Sequence, residues 1–104
     1  MFSKVVRSWG YYVVLLSFKR FKLKFIKFKP YCKLSIQKHR LRSEAWIRLW
    51  GSGISYVDGK SLASPRFFYV PRKKIHSFFS WDRSAFIEIQ WGIQCIESDI
   101  ERFN

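Results

Sequence analysis

The sequence predicts a mainly β domain, an antiparallel sheet or a small barrel or sandwich of about five short strands, with room for one helix at the N- or C-terminus. Three observations carry that prediction. Val, Ile, Phe, Tyr and Trp dominate the apolar residues, and these side chains favour pleated surfaces. Alanine occurs only at positions 45, 63 and 85, so intrinsic helix propensity is low. Gly, Pro and an Asp-Gly pair cut the chain into pieces of strand length. At 104 residues the chain is expected to form one domain, residues 1–104, around a modest core.

The first element is the least regular. Residues 11–29 run into SFKRFKLKFIKFKP at 17–30, in which bases and apolar residues are interleaved without an acid. As a helix, Tyr11, Val14, Phe18, Phe21, Phe25 and Phe28 would form one apolar seam. As a strand, Phe21, Leu23 and Phe25 would face one side and Arg20, Lys22 and Lys24 the other. A bulge would then be needed to keep Ile26 and Phe28 on the apolar side. The strand is preferred because β-branched and aromatic residues precede it. It is expected to bend near Lys19–Arg20, with Phe and Leu inward and Lys and Arg outward.

The later elements are clearer. AWIRLW, 45–50, reads as a strand; Gly51-Ser52-Gly53 is a turn leading into ISYV, 54–57. Asp58-Gly59 is a hairpin dipeptide, because both positions tolerate positive φ. FFYV, 67–70, lies between Pro65 and Pro71, which marks an edge strand. SAFIEIQWGIQCI, 84–96, alternates: Ile87, Ile89, Trp91 and Ile93 share one face, and Glu88, Gln90, Gly92 and Gln94 the other, as a half-buried strand requires. Ser43-Glu44-Ala45 could open a helical turn, and Ser98 with Glu101 suits another over Ser98 to Phe103.

Charge supplies the functional expectation. The net charge is +13, and residues 1–43 hold twelve Lys and Arg and no acid, whereas residues 81–104 hold five acids against Arg83 and Arg102. A basic half of this kind suits a polyanionic partner, and interleaved aromatics suit nucleic acid, whose phosphates take the bases and whose bases stack on rings. The expected function is a non-enzymatic polyanion-binding module that contacts nucleic acid or a ribonucleoprotein. The candidate contacts are Lys19, Arg20, Lys22, Lys24, Lys27, Lys29, Lys33, Lys38, Arg40 and Arg42, with a second cluster at Arg66, Arg72, Lys73 and Lys74. An alternative is a small inhibitor or adaptor, of phage or mobile-element type, on an acidic protein surface. Two more distant readings are a membrane-surface protein, if the N-terminal seam is helical, and a small basic ribonuclease using His39, His76 and Glu88.

Neither cofactor nor metal is expected. Cys32 and His39, or His76 and Cys95, lack the close spacing of a zinc motif, and Gly51-Ser52-Gly53 lacks the residues of a phosphate loop. The two cysteines read as free thiols in a reducing compartment, the cytoplasm or alternatively an organelle matrix. The apolar run Tyr11 to Leu16 falls short of the ~20 residues that span a bilayer, so no transmembrane segment is expected.

Overall fold

The computed structural model describes residues 3–96 and 98–103. These form twelve strands: β1 (Ser3–Arg7), β2 (Gly10–Phe18), β3 (Phe21–Phe28), β4 (Cys32–Lys33), β5 (Gln37–Lys38), β6 (Arg42–Trp50), β7 (Gly53–Val57), β8 (Lys60–Ala63), β9 (Phe67–Val70), β10 (His76–Ser80), β11 (Ala85–Gly92) and β12 (Glu101–Arg102). They build two antiparallel sheets. One has the order β1-β2-β3-β11-β6-β9; the other runs β12-β5-β10-β7-β8, with β4 also paired to β10. The mainly β expectation holds, with twelve strands where five were expected. No helix forms among the described residues, so none is long and apolar enough to cross a membrane. Ser43 to Ala45 lie within β6, and at the C-terminus Glu101–Arg102 pair with β5 where a helical turn was expected.

Turn chemistry explains much of the layout. Asp58 (φ 50°) and Gly59 (φ 82°) join β7 to β8, with Val57 opposite Lys60; both angles are those of a two-residue hairpin turn. β9, between Pro65 and Pro71, is the edge of its sheet. Lys19 and Arg20 reverse the chain completely, so residues 11–29 form the β2–β3 hairpin and not one bent strand. Gly10 lets the two strands meet: at φ 150°, a Cβ there would lie 2.0 Å from the Lys27 carbonyl oxygen.

The faces of β3 are the reverse of the expectation. Lys22, Lys24, Ile26 and Phe28 point inward and are buried, while Phe21, Leu23, Phe25 and Lys27 point outward. No bulge interrupts β3 against β11; the slip lies in β2, between Val14 and Leu16. β11 behaves alike, burying Glu88 and Gln90 and turning Ile87, Ile89 and Trp91 outward. Alternation locates the two faces of a strand, but which face meets the core depends on the neighbouring strands. Phe28 fixes the choice. Its ring packs on Trp9 (4.8 Å between centroids), Phe78 (5.0 Å), Phe86 (6.2 Å) and Trp46 (6.4 Å), which no outward residue of β3 could match.

The aromatic core therefore lies between the sheets, around Phe28, Trp46, Phe68, Phe78 and Phe86. Phe28→Ala should cost about 3–5 kcal/mol in urea denaturation. Leu62→Ala, on the exposed edge strand β8, should stay within about 0.5 kcal/mol.

Candidate functional site

The interior is graded along the strands. At one end Phe86 pairs with Ile26 across β11 and β3; further along come Glu88 opposite Lys24 and Trp46, then Gln90 opposite Lys22 and Glu44. Aromatic packing thus gives way to a buried polar layer. Lys22, Lys24, Arg42, Glu44, Glu88, Gln90, His39 and His76 are each less than a tenth exposed, and burial of this kind requires mutual satisfaction.

Glu44 is the hub. Its Oε2 accepts from Arg42 Nε (2.9 Å) and lies 3.1 Å from His39 Nε2; its Oε1 accepts from Trp46 Nε1 (3.0 Å) and lies 3.5 Å from His76 Nε2. Three segments supply these groups: the loop after β5, strand β6 and strand β10 of the opposite sheet. His39 Nδ1 donates to the Asp99 carbonyl oxygen at 2.6 Å, so its Nε2 carries a lone pair towards the cluster. Asp99 in turn accepts from the backbone N–H groups of Arg40 and Leu41, both at 2.9 Å, which fixes the loop. Arg42 also donates to the Ile96 carbonyl (2.9 Å), and its Nη2 lies 3.2 Å from His39 Nε2.

Burial dominates the titration of this layer. His39 is pulled down to about 4, first by desolvation and then by Arg42; His76 is pulled down to about 3, by desolvation and then by His39. Both rings are neutral at pH 7. Burial, followed by the neighbouring Glu44 carboxylate, pushes Glu88 up to about 8. Glu88 thus carries a proton at neutral pH, and Gln90 Nε2 donates to its Oε1 (2.9 Å).

Two imidazole nitrogens and a carboxylate oxygen, from His39, His76 and Glu44, lie within 4.8 Å of one another. Neutral imidazole and carboxylate suit a first-row divalent cation. The fit has further support: neither ring nitrogen of His76 finds a hydrogen-bond partner among the described residues. His39 also passes its other N–H to a backbone carbonyl, as metal-bound histidines do. The Arg42 guanidinium shares the lone pairs a cation would use on His39 and Glu44, so loading requires it to turn aside. The expectation of no metal site rested on spacing along the chain, which does not register residues that three separate segments bring together.

A cavity of about 370 Å³ opens beside this cluster. Its floor includes Lys24, Gln37, Arg42, Trp46 and Glu88, and the exposed Arg7, Lys33 and Arg102 also line it. Of the fourteen bases singled out by sequence, only Lys24, Lys33 and Arg42 line it. Lys22, Lys24 and Arg42 are buried and Lys27 and Lys38 part-buried, whereas Lys19, Arg20, Lys29, Lys33, Arg40, Arg66, Arg72, Lys73 and Lys74 are exposed. The exposed ones lie on the β2–β3 turn, on β4 (Lys33) and on several loops. Arg40 pairs with Glu101 (3.2 Å) and Lys74 with Asp58 (3.5 Å). β3 and β6 turn three of the fourteen inward: Lys22, Lys24 and Arg42. Glu44 was expected only in a helical turn, although polar residues at alternate positions 42 and 44 before the buried Trp46 are the mark of a polar strand face.

Comparisons with known proteins agree with this architecture. A family model described as mannose-6-phosphate isomerase C-terminal matches residues 1–104. The chain is 34% identical over 103 residues to the alginate biosynthesis protein AlgA of Pseudomonas aeruginosa, covering 95% of this chain and 21% of that protein. It is 31% identical over 104 residues to the mannose-1-phosphate guanylyltransferase of Escherichia coli, covering 96% and 22%. The chain thus spans about a fifth of the length of these relatives. Among solved structures, oxalate decarboxylase from Bacillus subtilis superposes with a TM-score of 0.83 at 14% identity, over 98% of this chain and 30% of that one. KdgF from Halomonas sp. gives 0.81 at 13%, over 94% and 89%, and the Cnp3 cupin domain of Schizosaccharomyces pombe 0.73 at 11%, over 79% and 64%. At these identities the structures show the fold alone, which is cupin-like.

These findings overturn the functional expectation. The matching family is named for mannose-6-phosphate isomerase, and the named relatives are an alginate biosynthesis protein and a mannose-1-phosphate guanylyltransferase, not nucleic-acid or ribonucleoprotein binders, nor inhibitors or adaptors on acidic protein surfaces. The non-enzymatic reading falls with them. Composition misled because it counts bases without placing them, and three of the fourteen lie in the interior.

The polar layer predicts an optimum of stability with pH. Below pH 6.5 the unfolded histidines take up protons that His39 and His76 refuse down to about 4 and 3, so stability falls with acid. Glu88 acts oppositely: the unfolded carboxyl ionises near 4.5 and the buried one near 8, so stability falls as pH rises across that window. Two histidines outweigh one carboxyl between 4.5 and 6.5. Thermal melts should therefore peak near pH 6.5, and Glu88→Gln should flatten the alkaline side. In a separate titration, Mn²⁺ or Zn²⁺ at 100 times its Kd should stabilise the protein by about 2.7 kcal/mol. His76→Gln should abolish most of that gain; a wild-type protein indifferent to both ions would exclude the cluster as a cation site.

Proposed function

From the premise that this chain belongs to the mannose-6-phosphate isomerase C-terminal family, we propose that it handles a hexose phosphate in a metal-assisted aldose–ketose isomerisation. The observation that carries this reading is the buried His39–Glu44–His76 cluster reached through Arg42, which lines a cavity that basic residues also line. A cavity of about 370 Å³ is of the order that small polar ligands occupy. Arg7, Lys33 and Arg102 supply phosphate contacts, Arg as a bidentate fork and Lys as a point charge. Of the bases expected to bind an anion, Lys24, Lys33 and Arg42 keep that role here, towards a phosphorylated sugar.

A divalent cation held by the cluster would supply a Lewis acid for the sugar oxygens. The chain's own contribution is the proton. Isomerisation moves one proton from C2 to C1 and another from the C2 hydroxyl to the C1 oxygen, and the carbon-to-carbon transfer needs a group able to take and return it near neutral pH. Glu88 lines the cavity and its carboxyl titrates near 8, so its ionised fraction, which grows as pH rises towards 8, takes the proton and the resulting acid returns it. Gln90 orients it through the 2.9 Å hydrogen bond. Trp9, Tyr12 and Trp46, which also line the cavity, wall the sugar off from water. The free thiols Cys32 and Cys95 and a phosphorylated substrate support a cytoplasmic setting.

The test is an isomerase assay on mannose 6-phosphate with added Mn²⁺ or Zn²⁺, following formation of the 2-ketose. Glu88→Gln should lower kcat by about 10²–10⁴ with little change in KM, while Arg102→Ala should act mainly on KM. Absence of turnover in the metal-loaded protein, or full activity in Glu88→Gln, would overturn the proposal.

A further inference from the structure

A second cavity, of about 630 Å³, opens on the outer side of the sheet β1-β2-β3-β11-β6-β9. Register sets Val6, Tyr11 and Lys27 side by side across β1, β2 and β3, and all three line it. Tyr12, Ile26 and Phe28 are the buried, inward members of the same strands. The two cavities share no lining residue.

Four bases line this cavity, Lys4, Lys27, Lys29 and Arg83, and no acid does. The partners of Lys27 on the adjacent strands are Tyr11 and Ala85, so neither neighbour balances its charge. Among the described residues none of the four takes part in an ion pair. Asp82 adjoins Arg83 in sequence, but its carboxylate accepts from the Ser52 backbone N–H (2.8 Å) and the Ser52 hydroxyl (3.0 Å). Like charges converging on one concavity with apolar walls focus a positive potential there, which an anion relieves. The other cavities lack this imbalance. Glu88 stands among the bases of the first, and Asp58 beside Lys60 in a third of about 390 Å³.

The rest of the wall selects among anions. Val6, which is 67% exposed, together with Tyr11 and Pro30 presents apolar surface that a bare inorganic ion would leave wet. Lys4 holds its ammonium 4.3 Å over the Tyr11 ring. An aromatic ligand would take over that ring face and release the ammonium to its own anionic end. Several donors around one anion favour phosphate, with its three acceptor oxygens and close to two charges, over a carboxylate. We propose that this cavity binds a small organic phosphate with an aromatic body, its phosphate held by Lys27, Lys29 and Arg83 and its ring set against Tyr11 and Val6. The inference does not rest on the isomerase reading, because no residue serves both cavities.

Calorimetric titration of the full chain with 1-naphthyl phosphate tests this, with inorganic phosphate and 1-naphthol as the separate halves of the probe. The ester should bind at least about tenfold more tightly than either half, and more weakly as salt is raised. Lys29→Glu and Arg83→Glu, both at exposed side chains, should together raise Kd at least about tenfold. Lys60→Glu, the same charge change on the exposed strand β8, should leave Kd within about twofold. Val6→Ser should weaken the ester and leave inorganic phosphate unaffected. Cys32 lines the cavity and is part-exposed, whereas Cys95 is buried, so bound ester should slow alkylation of Cys32. Equal affinity for ester and inorganic phosphate, or no binding of the ester at millimolar concentration, would overturn the proposal. So would an unprotected Cys32 in the saturated protein, or a loss in Lys60→Glu equal to that of the paired variant.

Discussion

The Glu44 carboxylate is the constraint around which the polar half of the interior is arranged. A carboxylate fully removed from water costs several kcal/mol unless its oxygens are occupied by donors or cations. Here Arg42 and Trp46 occupy them through hydrogen bonds from the same strand, and His39 and His76 approach from other segments. Each needs its own support, which explains the neighbouring structure. Arg42 is held by the Ile96 carbonyl and His39 by that of Asp99, whose side chain ties down the backbone of residues 40 and 41. The irregular segment after β11 is thus fixed by the demands of one buried charge. Glu88 keeps its proton first because burial disfavours its charged form, and then because the Glu44 carboxylate stands beside it.

The basic composition acquires a different meaning in this setting. Lysines on an inward strand face would ordinarily be excluded, yet Lys22 and Lys24 stand opposite Gln90 and Glu88 on the paired strand β11. Lys24 also lays its ammonium 4.2 Å over the ring of Tyr12. Cation–π contact and polar neighbours on β11 replace part of the lost hydration. The interior therefore combines a dry aromatic end, which supplies cohesion, with a wet-chemistry end that supplies reactive groups. The same strands build both, because a period of two allows one face to change character along its length.

This division marks what could be read from the chain. β-branched and aromatic abundance revealed the architecture, Asp58-Gly59 the β7–β8 hairpin, and the flanking prolines the edge strand β9, since each is a local backbone preference. Alternation in 84–96 revealed two faces but not their sides. In an ordinary half-buried strand the isoleucine face is inward; here Glu88 and Gln90 are inward because their partners on β3 and β6 are polar too. The same non-local cause hid the site. His39 and His76 were noticed as acid–base candidates, but the burial that leads in lowering their pKa comes from strands distant in sequence. Glu44 was read only as the opening of a turn, because nothing within a few residues of it signals that a histidine from the other sheet will arrive.

Arg42 has a consequence for how the protein comes into being. In many small metalloproteins the unfilled ligand set repels itself or lies exposed, so the chain cannot settle until its ion arrives. Here an internal guanidinium bridges Glu44 and His39 and acts as a resident placeholder. The polypeptide can thus complete its fold on its own sequence, and a cation taken up at this cluster would enter afterwards, by exchange with the guanidinium.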